Sequence, residues 1–343
     1  MKDLASELAQ VKTVAIAGHI RPDGDCVGSC LATYNYITAW FPQTEADVYL
    51  EPIPNIFKFL SHADRIHHTC ESDRTYDLCI VQDCGDAARL GAAVKYFNTA
   101  KKTICIDHHV SNDSFADENY VFPEKSSTSE LIFELIEEEK ITKEIAECIY
   151  VGIVHDTGVF QYSSTSARTM NIAGILMEKG ISYTKIIDET FYTKTFEQNK
   201  ILGQALLNSR RYLENQVIAA AVTKEEMERY QVLPKHLDGI VSQLRVTKGV
   251  EAAIFLYENE DGSWKISMRS NEKVDVARIA VKYQGGGHVR AAGATMEGSS
   301  QEVIGTLCEE IEKQLQREEP AGKELCQKDS DTQEESWQGA GEA

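Results

Sequence analysis

Asp107, His108 and His109 stand in a row directly after the apolar run at 103–106. Carboxylates and imidazoles are common metal ligands, and a buried strand that ends on them indicates a site at the carboxyl edge of a sheet. One such cluster alone is weak support, because polar groups after a strand more often belong to loops or helix caps.

Three further apolar segments each end on side chains of the same two types. The runs at 78–82 and 150–154 lead into carboxylates, and the run at 14–18 leads into a Pro- and Gly-containing turn that can aim several side chains at one point. We interpret all four segments as strand ends, although 150–154 also fits the end of a helical pattern that begins at 143. The candidate metal ligands are His19, Asp23, Asp25, Asp83, His108 and Asp156.

These six candidate ligands offer four carboxylates, two imidazoles and no thiolate. An oxygen-rich set of this kind favours Mn²⁺ or Mg²⁺ over structural zinc. Six ligands are too many for one catalytic ion, but they suit two ions if one carboxylate bridges them. Because two neighbouring cations can activate water and neutralise phosphate oxygens, the predicted chemistry is hydrolysis of a phosphate ester.

Strand-like and helix-like segments alternate up to residue 125, which predicts an α/β fold with a largely parallel sheet. Helical patterns follow, and we expect Ser129 or one of its neighbours Ser126, Ser127 and Thr128 to cap the one at 128–140. A length of 343 residues favours two domains. We expect a catalytic domain over 1–190, a connecting helix within 191–215 that covers 196–211, a smaller α/β substrate domain over 216–316, and a disordered acidic tail over 317–343.

Charge and hydropathy limit the partners that we expect. The net charge of −19 argues against a sequence-independent grip on long duplex nucleic acid, whereas a short anionic substrate remains compatible with it. No apolar run approaches the ~20 residues of a membrane helix, and the polar start does not resemble a secretion signal. Nine cysteines without a C-x-x-C pair favour a reduced protein. We therefore expect a cytoplasmic protein without a membrane partner, for which a homodimer is compatible with the sequence.

A basic, glycine-containing stretch near the C-terminal end is the candidate substrate-binding segment. Between residues 264 and 290, six Lys or Arg side chains stand against two acids. Arg269, at the end of a predicted strand, is the first choice for a bidentate contact with a phosphate. Gly285, Gly286 and Gly287 predict a loop whose backbone approaches a ligand closely, and His288 follows them.

Taken together, these motifs resemble the DHH phosphoesterase superfamily. The resemblance rests on His-x-x-x-Asp-x-Asp at 19–25, the lone Asp83, Asp-His-His at 107–109 and Asp-Thr-Gly at 156–158. Gly-Gly-Gly-His at 285–288 resembles the DHH-associated substrate domain. Among the members, the chain is most similar to RecJ-like oligoribonucleases that also dephosphorylate adenosine 3′,5′-bisphosphate.

The resemblance implies a pair of Mn²⁺ ions, with Mg²⁺ as an alternative. It assigns the ligands and their neighbours as follows: His19 and Asp23 to one ion, Asp25, His108 and Asp156 to the other, Asp83 as the bridge, His109 facing the substrate phosphate, and Asp107 orienting the imidazoles. It also implies substrate contacts for Arg269 and His288. His155 matches no motif position, so we expect an ordinary packed or surface histidine there.

The predicted activity is Mn²⁺-dependent hydrolysis of short RNA pieces and of adenosine bisphosphate. Hydrolysis of cyclic di-adenosine monophosphate or its linear product uses the same motifs and stays open. A family II pyrophosphatase lacks the Gly-Gly-Gly-His segment, and a full RecJ exonuclease is longer. A non-catalytic nucleotide sensor is the alternative from another class, and we disfavour it because every expected ligand is present.

Overall fold

The computed structural model describes residues 3–318, so nearly all of the expected acidic tail lies outside the described residues. The chain divides into two compact units between Thr193 and Lys194. Within the described part, no helix is both long and apolar enough to cross a membrane. The α/β fold with a parallel sheet and a second, smaller α/β unit is confirmed.

The first unit is built on a six-stranded sheet in which every pair of neighbours is parallel. Its strands, in the spatial order β3-β2-β1-β4-β5-β6, are β1 (Thr13–Ala17), β2 (Glu45–Tyr49), β3 (Ile66–His67), β4 (Leu78–Gln82), β5 (Thr103–Asp107) and β6 (Glu118–Val121). The three central strands, β1, β4 and β5, are almost fully buried, as expected for a parallel sheet that is covered on both faces.

Helices cover both faces of this sheet. They are α1 (Leu4–Leu8), α2 (Gly24–Trp40), α3 (Val94–Thr99), α4 (Thr128–Leu135), α5 (Lys143–Asp156), α6 (Ala167–Glu178) and α7 (Tyr183–Ile187), and a π-helical turn follows at Asp188–Tyr192. The larger apolar core joins one face to α2, α4, α5 and α6. A smaller, tyrosine-rich core fills the other face beside α3.

Two expectations for this unit were wrong in detail, and one was narrowed. The run at 150–154 is the last part of α5 and not a strand. It is buried on all sides of the helix, and apolar periodicity alone cannot separate such a segment from a buried strand. Among the four candidate caps of α4, the structure selects Ser127, whose side chain accepts from Glu130 N. The predicted helix at 128–140 ends at Leu135, and a 3₁₀ turn at Glu138–Lys140 follows.

The second unit contains a mixed six-stranded sheet in the order β11-β12-β10-β9-β8-β7. The strands are β7 (Arg210–Tyr212), β8 (Val217–Val222), β9 (Ala252–Glu258), β10 (Trp264–Ser270), β11 (Gly286–His288) and β12 (Ala291–Met296). Only β8 and β9 pair in parallel. The helices are α8 (Phe196–Asn208), α9 (Lys224–Tyr230), α10 (Ile240–Arg245), α11 (Val276–Lys282) and α12 (Ser300–Glu318). The helix expected at 196–211 therefore ends at Asn208, and Arg210 begins a strand.

The helices cover the two faces of this second sheet unequally. Helices α11 and α12 pack across one whole face. On the other face, α8, α9 and α10 cover the strands β8 and β9. On β10 that second face carries Lys265, which is exposed, and Ser267 and Arg269, which are half-buried, in alternation with buried residues. The part of the sheet formed by β10, β12 and β11 thus presents a partly open surface.

The glycines at 285–287 differ from their prediction as a loop, because Gly286 and Gly287 belong to the edge strand β11. A Cβ on Gly285 would lie 2.1 Å from the carbonyl oxygen of Gly293, and one on Gly287 would lie 2.4 Å from that of Ala291. Gly287 also has a φ of +143°, which side chains rarely adopt. These glycines allow a close approach of β11 to β12.

Candidate active site

The candidate ligands gather at the carboxyl edge of the parallel sheet, where the strand order reverses. His19 follows β1 and Asp83 follows β4, and these two strands are neighbours although they are not consecutive. Ligands of open α/β sheets bind at such a switch point, because the loops on either side diverge there and leave a crevice. Asp107 ends the next strand, β5.

Asp83 lies at the centre of the site and is 2% exposed. Its Oδ2 is 3.5 Å from His19 Nε2, and its Oδ1 is 3.7 Å from His108 Nε2. The two oxygens of one carboxylate therefore face two different imidazoles. Asp83 also has a φ of +54°, a left-handed conformation that is uncommon outside glycine and that often marks functional sites.

His19 and Asp23 lie on one side of Asp83. The Nε2 atom of His19 is 3.7 Å from Asp23 Oδ2, while its Nδ1 lies 2.8 Å from the carbonyl oxygen of Ile20. That contact orients the ring so that Nε2 faces the carboxylates. Asp23 is the N-cap of α2, and its Oδ1 accepts from the backbone N–H of Asp25 and of Cys26. The helix start thus fixes the carboxylate.

His108, Asp156 and Asp25 lie on the other side of Asp83. His108 Nε2 is 3.0 Å from Asp156 Oδ2 and 3.9 Å from Asp25 Oδ2, while its Nδ1 lies 3.3 Å from the carbonyl oxygen of Lys125. Asp156 is the last residue of α5. A helix end thus carries the candidate ligand that we had assigned to a strand end.

Asp25 is completely buried and is held by the start of α4. Its Oδ2 accepts from Thr128 N at 2.6 Å, and its Oδ1 accepts from Ser129 N at 2.9 Å. Backbone N–H groups at a helix start stabilise a negative charge, which makes this carboxylate rigid. On the facing helix α5, a Cβ at Gly152 would lie 1.9 Å from Ser129 Oγ and 2.6 Å from Asp25 Oδ1. Only glycine fits there.

His109 lies closer to Asp107 than to the candidate metal ligand Asp83. Its Nδ1 lies 2.7 Å from Asp107 Oδ1, against 3.6 Å from Asp83 Oδ1. Asp107 is fully buried, and its Oδ1 also accepts from the backbone N–H of His108 and of His109. Asn112 Nδ2 donates to its second oxygen at 2.6 Å. Asp107 therefore fixes the backbone after β5 and the orientation of the His109 ring together.

The imidazoles and carboxylates of the site perturb one another strongly. Burial lowers the pKa of His19, but its contacts with Asp23 and Asp83 outweigh that effect and raise the value to about 11. Burial also lowers the pKa of His108, but the contacts with Asp156 and Asp25 outweigh that effect and raise the value to about 10. Burial and the negative charge of Asp83 raise the pKa of Asp25 well above its usual range. Such a site is poised to exchange protons for cations.

Three groups of side chains have ligand atoms within 4.8 Å of one another and can hold a divalent cation: Asp25, His108 and Asp156; Asp83, His108 and His109; and His19, Cys26 and Asp83. Asp83 and His108 each belong to two groups, so the groups form one continuous site. Apart from the thiol of Cys26, the donors are three carboxylates and three imidazoles, ligand types that suit a divalent ion such as Mn²⁺.

Sequence reasoning missed Cys26, a fully buried thiol beside the site. Burial raises its pKa well above the usual range, so the thiol is neutral in the metal-free protein. The sequence feature that could have indicated Cys26 is its position directly after the candidate ligand Asp25, in the first turn of α2.

His155 is partly buried and packs beside the candidate metal site. Its ring lies between Phe57 and Phe191, with ring centres 4.9 and 5.7 Å away, and its Nε2 is 3.0 Å from Thr190 Oγ1. A Cβ at Gly24 would lie 2.4 Å from His155 Cγ, so the ring packs directly against the turn that carries Asp23 and Asp25.

In the second unit, Arg269 and His288 lie on strands that flank β12. Arg269 is half-buried, with Nη1 donating to the carbonyl oxygen of Met268 at 3.0 Å, and His288 is exposed. An open groove of about 900 Å³ lies at the start of β11, and its lining includes Lys265, Lys282, Gly285, Gly286 and Gly293. The basic side chains and the glycines thus share one surface.

Comparison with known proteins agrees with these observations. The DHH family N-terminal domain matches residues 13–153, and the DHHA1 domain matches residues 214–317. The chain therefore carries both domains, the DHH domain in its first unit and the DHHA1 domain in its second. It is a hydrolase of phosphate ester bonds.

Named relatives cover most of the chain. A Bacillus subtilis protein named bifunctional oligoribonuclease and PAP phosphatase NrnA is 28% identical over 322 residues, which are 90% of this chain and 99% of that protein. The protein of the same name from Thermus thermophilus is 29% identical and covers 83% of this chain and 84% of its own length. A crystal structure of an exopolyphosphatase-related protein from Bacteroides fragilis has a TM-score of 0.83 at 28% identity and covers 90% of this chain and 94% of its own.

Proposed function

We propose that this protein is a Mn²⁺-dependent phosphoesterase that hydrolyses short oligoribonucleotides to mononucleotides and adenosine 3′,5′-bisphosphate to AMP. The observation that carries the proposal is the position of Asp83, whose two oxygens face the imidazoles of His19 and His108. The oligoribonuclease and PAP phosphatase names of relatives that cover most of the chain support the choice of substrates.

The proposed roles follow the two sides of Asp83. His19 and Asp23 hold one ion, Asp83 bridges, and the second ion is held by Asp25, His108 and Asp156. Two bound divalent ions would supply positive charge to the phosphate oxygens and activate water for hydrolysis. Because Asp25 is buried and accepts from two backbone N–H groups, the chain keeps its oxygens in place before a substrate arrives.

His109 and Asp107 have separate proposed roles beside the ligands. The contact with Asp107 raises the pKa of His109, which favours a protonated ring that donates to a phosphate oxygen. Asp107 acts through His109 and is a positioning residue. Burial raises the pKa of Asp107, but its contacts, chiefly with His109, outweigh that effect and lower the pKa. The carboxylate therefore keeps its negative charge beside the ring.

The second unit is proposed to bind the part of the substrate that does not react. Arg269 is the proposed partner of a phosphate, and His288 and Gly285–Gly287 the neighbouring contacts. The open face of β10, β12 and β11 carries small residues between basic ones, which leaves room for a flat or anionic group. Short nucleotides fit this arrangement better than long duplexes, because the chain as a whole is strongly acidic.

A substrate panel tests the proposal. The purified protein is assayed with Mn²⁺ or Mg²⁺ on adenosine bisphosphate, on short RNA and DNA, on cyclic di-adenosine monophosphate and its linear form, and on pyrophosphate. We expect turnover of adenosine bisphosphate and of short RNA, with Mn²⁺ more effective than Mg²⁺ because two ligands are imidazoles. Preferential cleavage of the cyclic or linear dinucleotide would select the cyclic-dinucleotide alternative, and no turnover of any compound would overturn the proposal.

A further inference from the structure

Cys26 lies beside the proposed metal site without belonging to its expected ligand set. Its side chain is fully buried in the first turn of α2. The sulfur lies within 4.8 Å of ligand atoms of His19 and Asp83, which are also within that distance of each other. The thiol donates to the carbonyl oxygen of His19 at 4.0 Å, a long and therefore weak contact.

We propose that His19, Cys26 and Asp83 form an alternative coordination set that captures thiophilic divalent ions such as Zn²⁺ and Cd²⁺. The inference rests on the proposed metal site, because it shares His19 and Asp83 with it. In this set the Cys26 thiolate takes the place of the Asp23 carboxylate. As the metal–sulfur bond forms, the S–H bond breaks and its proton passes to buffer, and no electron transfer is involved.

Ligand preference explains why the two sets select different ions. Mn²⁺ and Mg²⁺ favour carboxylate oxygens, whereas zinc accepts thiolate and imidazole in a tetrahedral shell. Bond lengths of about 2.0 to 2.3 Å place the donors of such a shell roughly 3.5 Å apart, so atoms within 4.8 Å need side-chain shifts of about 1 Å. His19, Cys26 and Asp83 would fill three positions of a tetrahedral zinc shell and leave the fourth to water.

The packing around the sulfur keeps it near this position. A Cβ at Gly18 would lie 2.2 Å from Cys26 Sγ, so the absence of a side chain at Gly18 is what makes room for the thiol. Cys79 offers a contrast on the same sheet. It is equally buried, in β4, but it belongs to none of the described clusters of candidate ligands.

Ultraviolet difference spectroscopy with Cd²⁺ tests the proposal directly. A cadmium–thiolate bond produces a charge-transfer band that oxygen and nitrogen ligands do not give. The full chain is stripped of metal and titrated with Cd²⁺ as wild type, Cys26→Ala, Cys26→Ser and Cys79→Ala. Cys79→Ala removes a sulfur of equal burial and is the matched control, and Cys26→Ser keeps the side-chain size if Cys26→Ala does not fold.

The first equivalent of Cd²⁺ should produce the band in wild type and in Cys79→Ala but in neither Cys26 variant. In competition dialysis, the preference for Zn²⁺ over Mn²⁺ should fall about tenfold or more in the Cys26 variants. A band that persists without Cys26, or a wild type that shows none, would overturn the proposal. Neither readout uses turnover, so an inactive protein would refute the proposed function and leave this result standing.

Discussion

Arg269 and His288 lie at the same level of the second sheet, because each is paired in register with Ala291 on the strand between them. Residues directly opposite in antiparallel strands point to the same face, and two strand spacings amount to roughly 10 Å. The small side chain of Ala291 leaves the space between them open. The two residues can therefore contact one ligand from both sides.

Replacing Arg269 with Ala should weaken catalysis without affecting the metals. Loss of a charge-assisted contact of roughly 1.5 to 3 kcal/mol lowers kcat/KM by one to two orders of magnitude. We expect this loss on adenosine bisphosphate and on a dinucleotide with a 5′-phosphate, with the metal content unchanged. Arg278→Ala, which removes an exposed arginine from α11, is the matched control and should change kcat/KM little.

A small chromogenic phosphodiester distinguishes this account from a general defect. It has no second phosphate for Arg269, so wild type and Arg269→Ala should hydrolyse it almost equally. If the variant slows all three substrates alike, or none of them, Arg269 does not have the proposed role.

Replacing Gly152 with Ala should disturb the candidate metal site, although Gly152 is not itself a candidate ligand. The new Cβ would meet Ser129 Oγ and Asp25 Oδ1, so α5 or the start of α4 must shift. We expect a stability loss of about 1 to 3 kcal/mol and weaker binding of one ion. Gly174→Ala, in α6, meets nothing within 4 Å and should be neutral or stabilising by up to about 1 kcal/mol. Denaturant unfolding and metal analysis of both variants provide the test, and equal behaviour would contradict it.

The Asp107→Asn variant should shift the pH dependence of catalysis in one direction. The contact with Asp107 raises the pKa of His109, so a neutral amide lets that pKa fall. If protonated His109 binds phosphate, activity is present below its pKa and is lost as pH rises through it. The alkaline limb of kcat/KM against pH should therefore move to lower pH in the variant. An unchanged limb, in a variant with a normal Tm, would exclude this role for His109.

Metal binding should release protons. Because contacts with carboxylates raise the pKa of His19 to about 11 and that of His108 to about 10, we expect both rings to be positively charged at pH 8 in the metal-free protein. A cation needs the neutral ring, so each ion that binds His19 or His108 displaces a proton and binds more tightly as pH rises. Calorimetric titrations in two buffers of different ionisation enthalpy measure the release, and identical heats would show that no proton leaves.

The sequence was most informative for candidate ligands that directly follow a strand. His19, Asp83 and His108 each follow a buried apolar run, and the carboxyl ends of parallel strands meet at one edge. Asp156 could be found by its type, but its element was wrong because a helix buried on all sides has the same apolar character as a strand.

Features that depend on contacts between distant segments could not be predicted. The support of Asp25 by Thr128 N and Ser129 N joins residues about one hundred positions apart in the chain. The alignment of Arg269 with His288 depends on the register of two strand pairs, and β11 gave no apolar signal because it consists of glycines and one histidine. Both features depend on how distant segments of the chain pack together, which no local sequence pattern records.

The central claim is that Asp83 serves both ions, and the number of Mn²⁺ ions bound per chain tests it most directly. Wild type, Asp83→Ala and Asp23→Ala are loaded with Mn²⁺, freed of excess ions by gel filtration and analysed for metal. Asp23 contacts the His19 side alone, so Asp23→Ala should keep about one ion, whereas Asp83→Ala should keep almost none and show no turnover. Equal, partial losses of metal in the two variants would contradict the bridging role of Asp83.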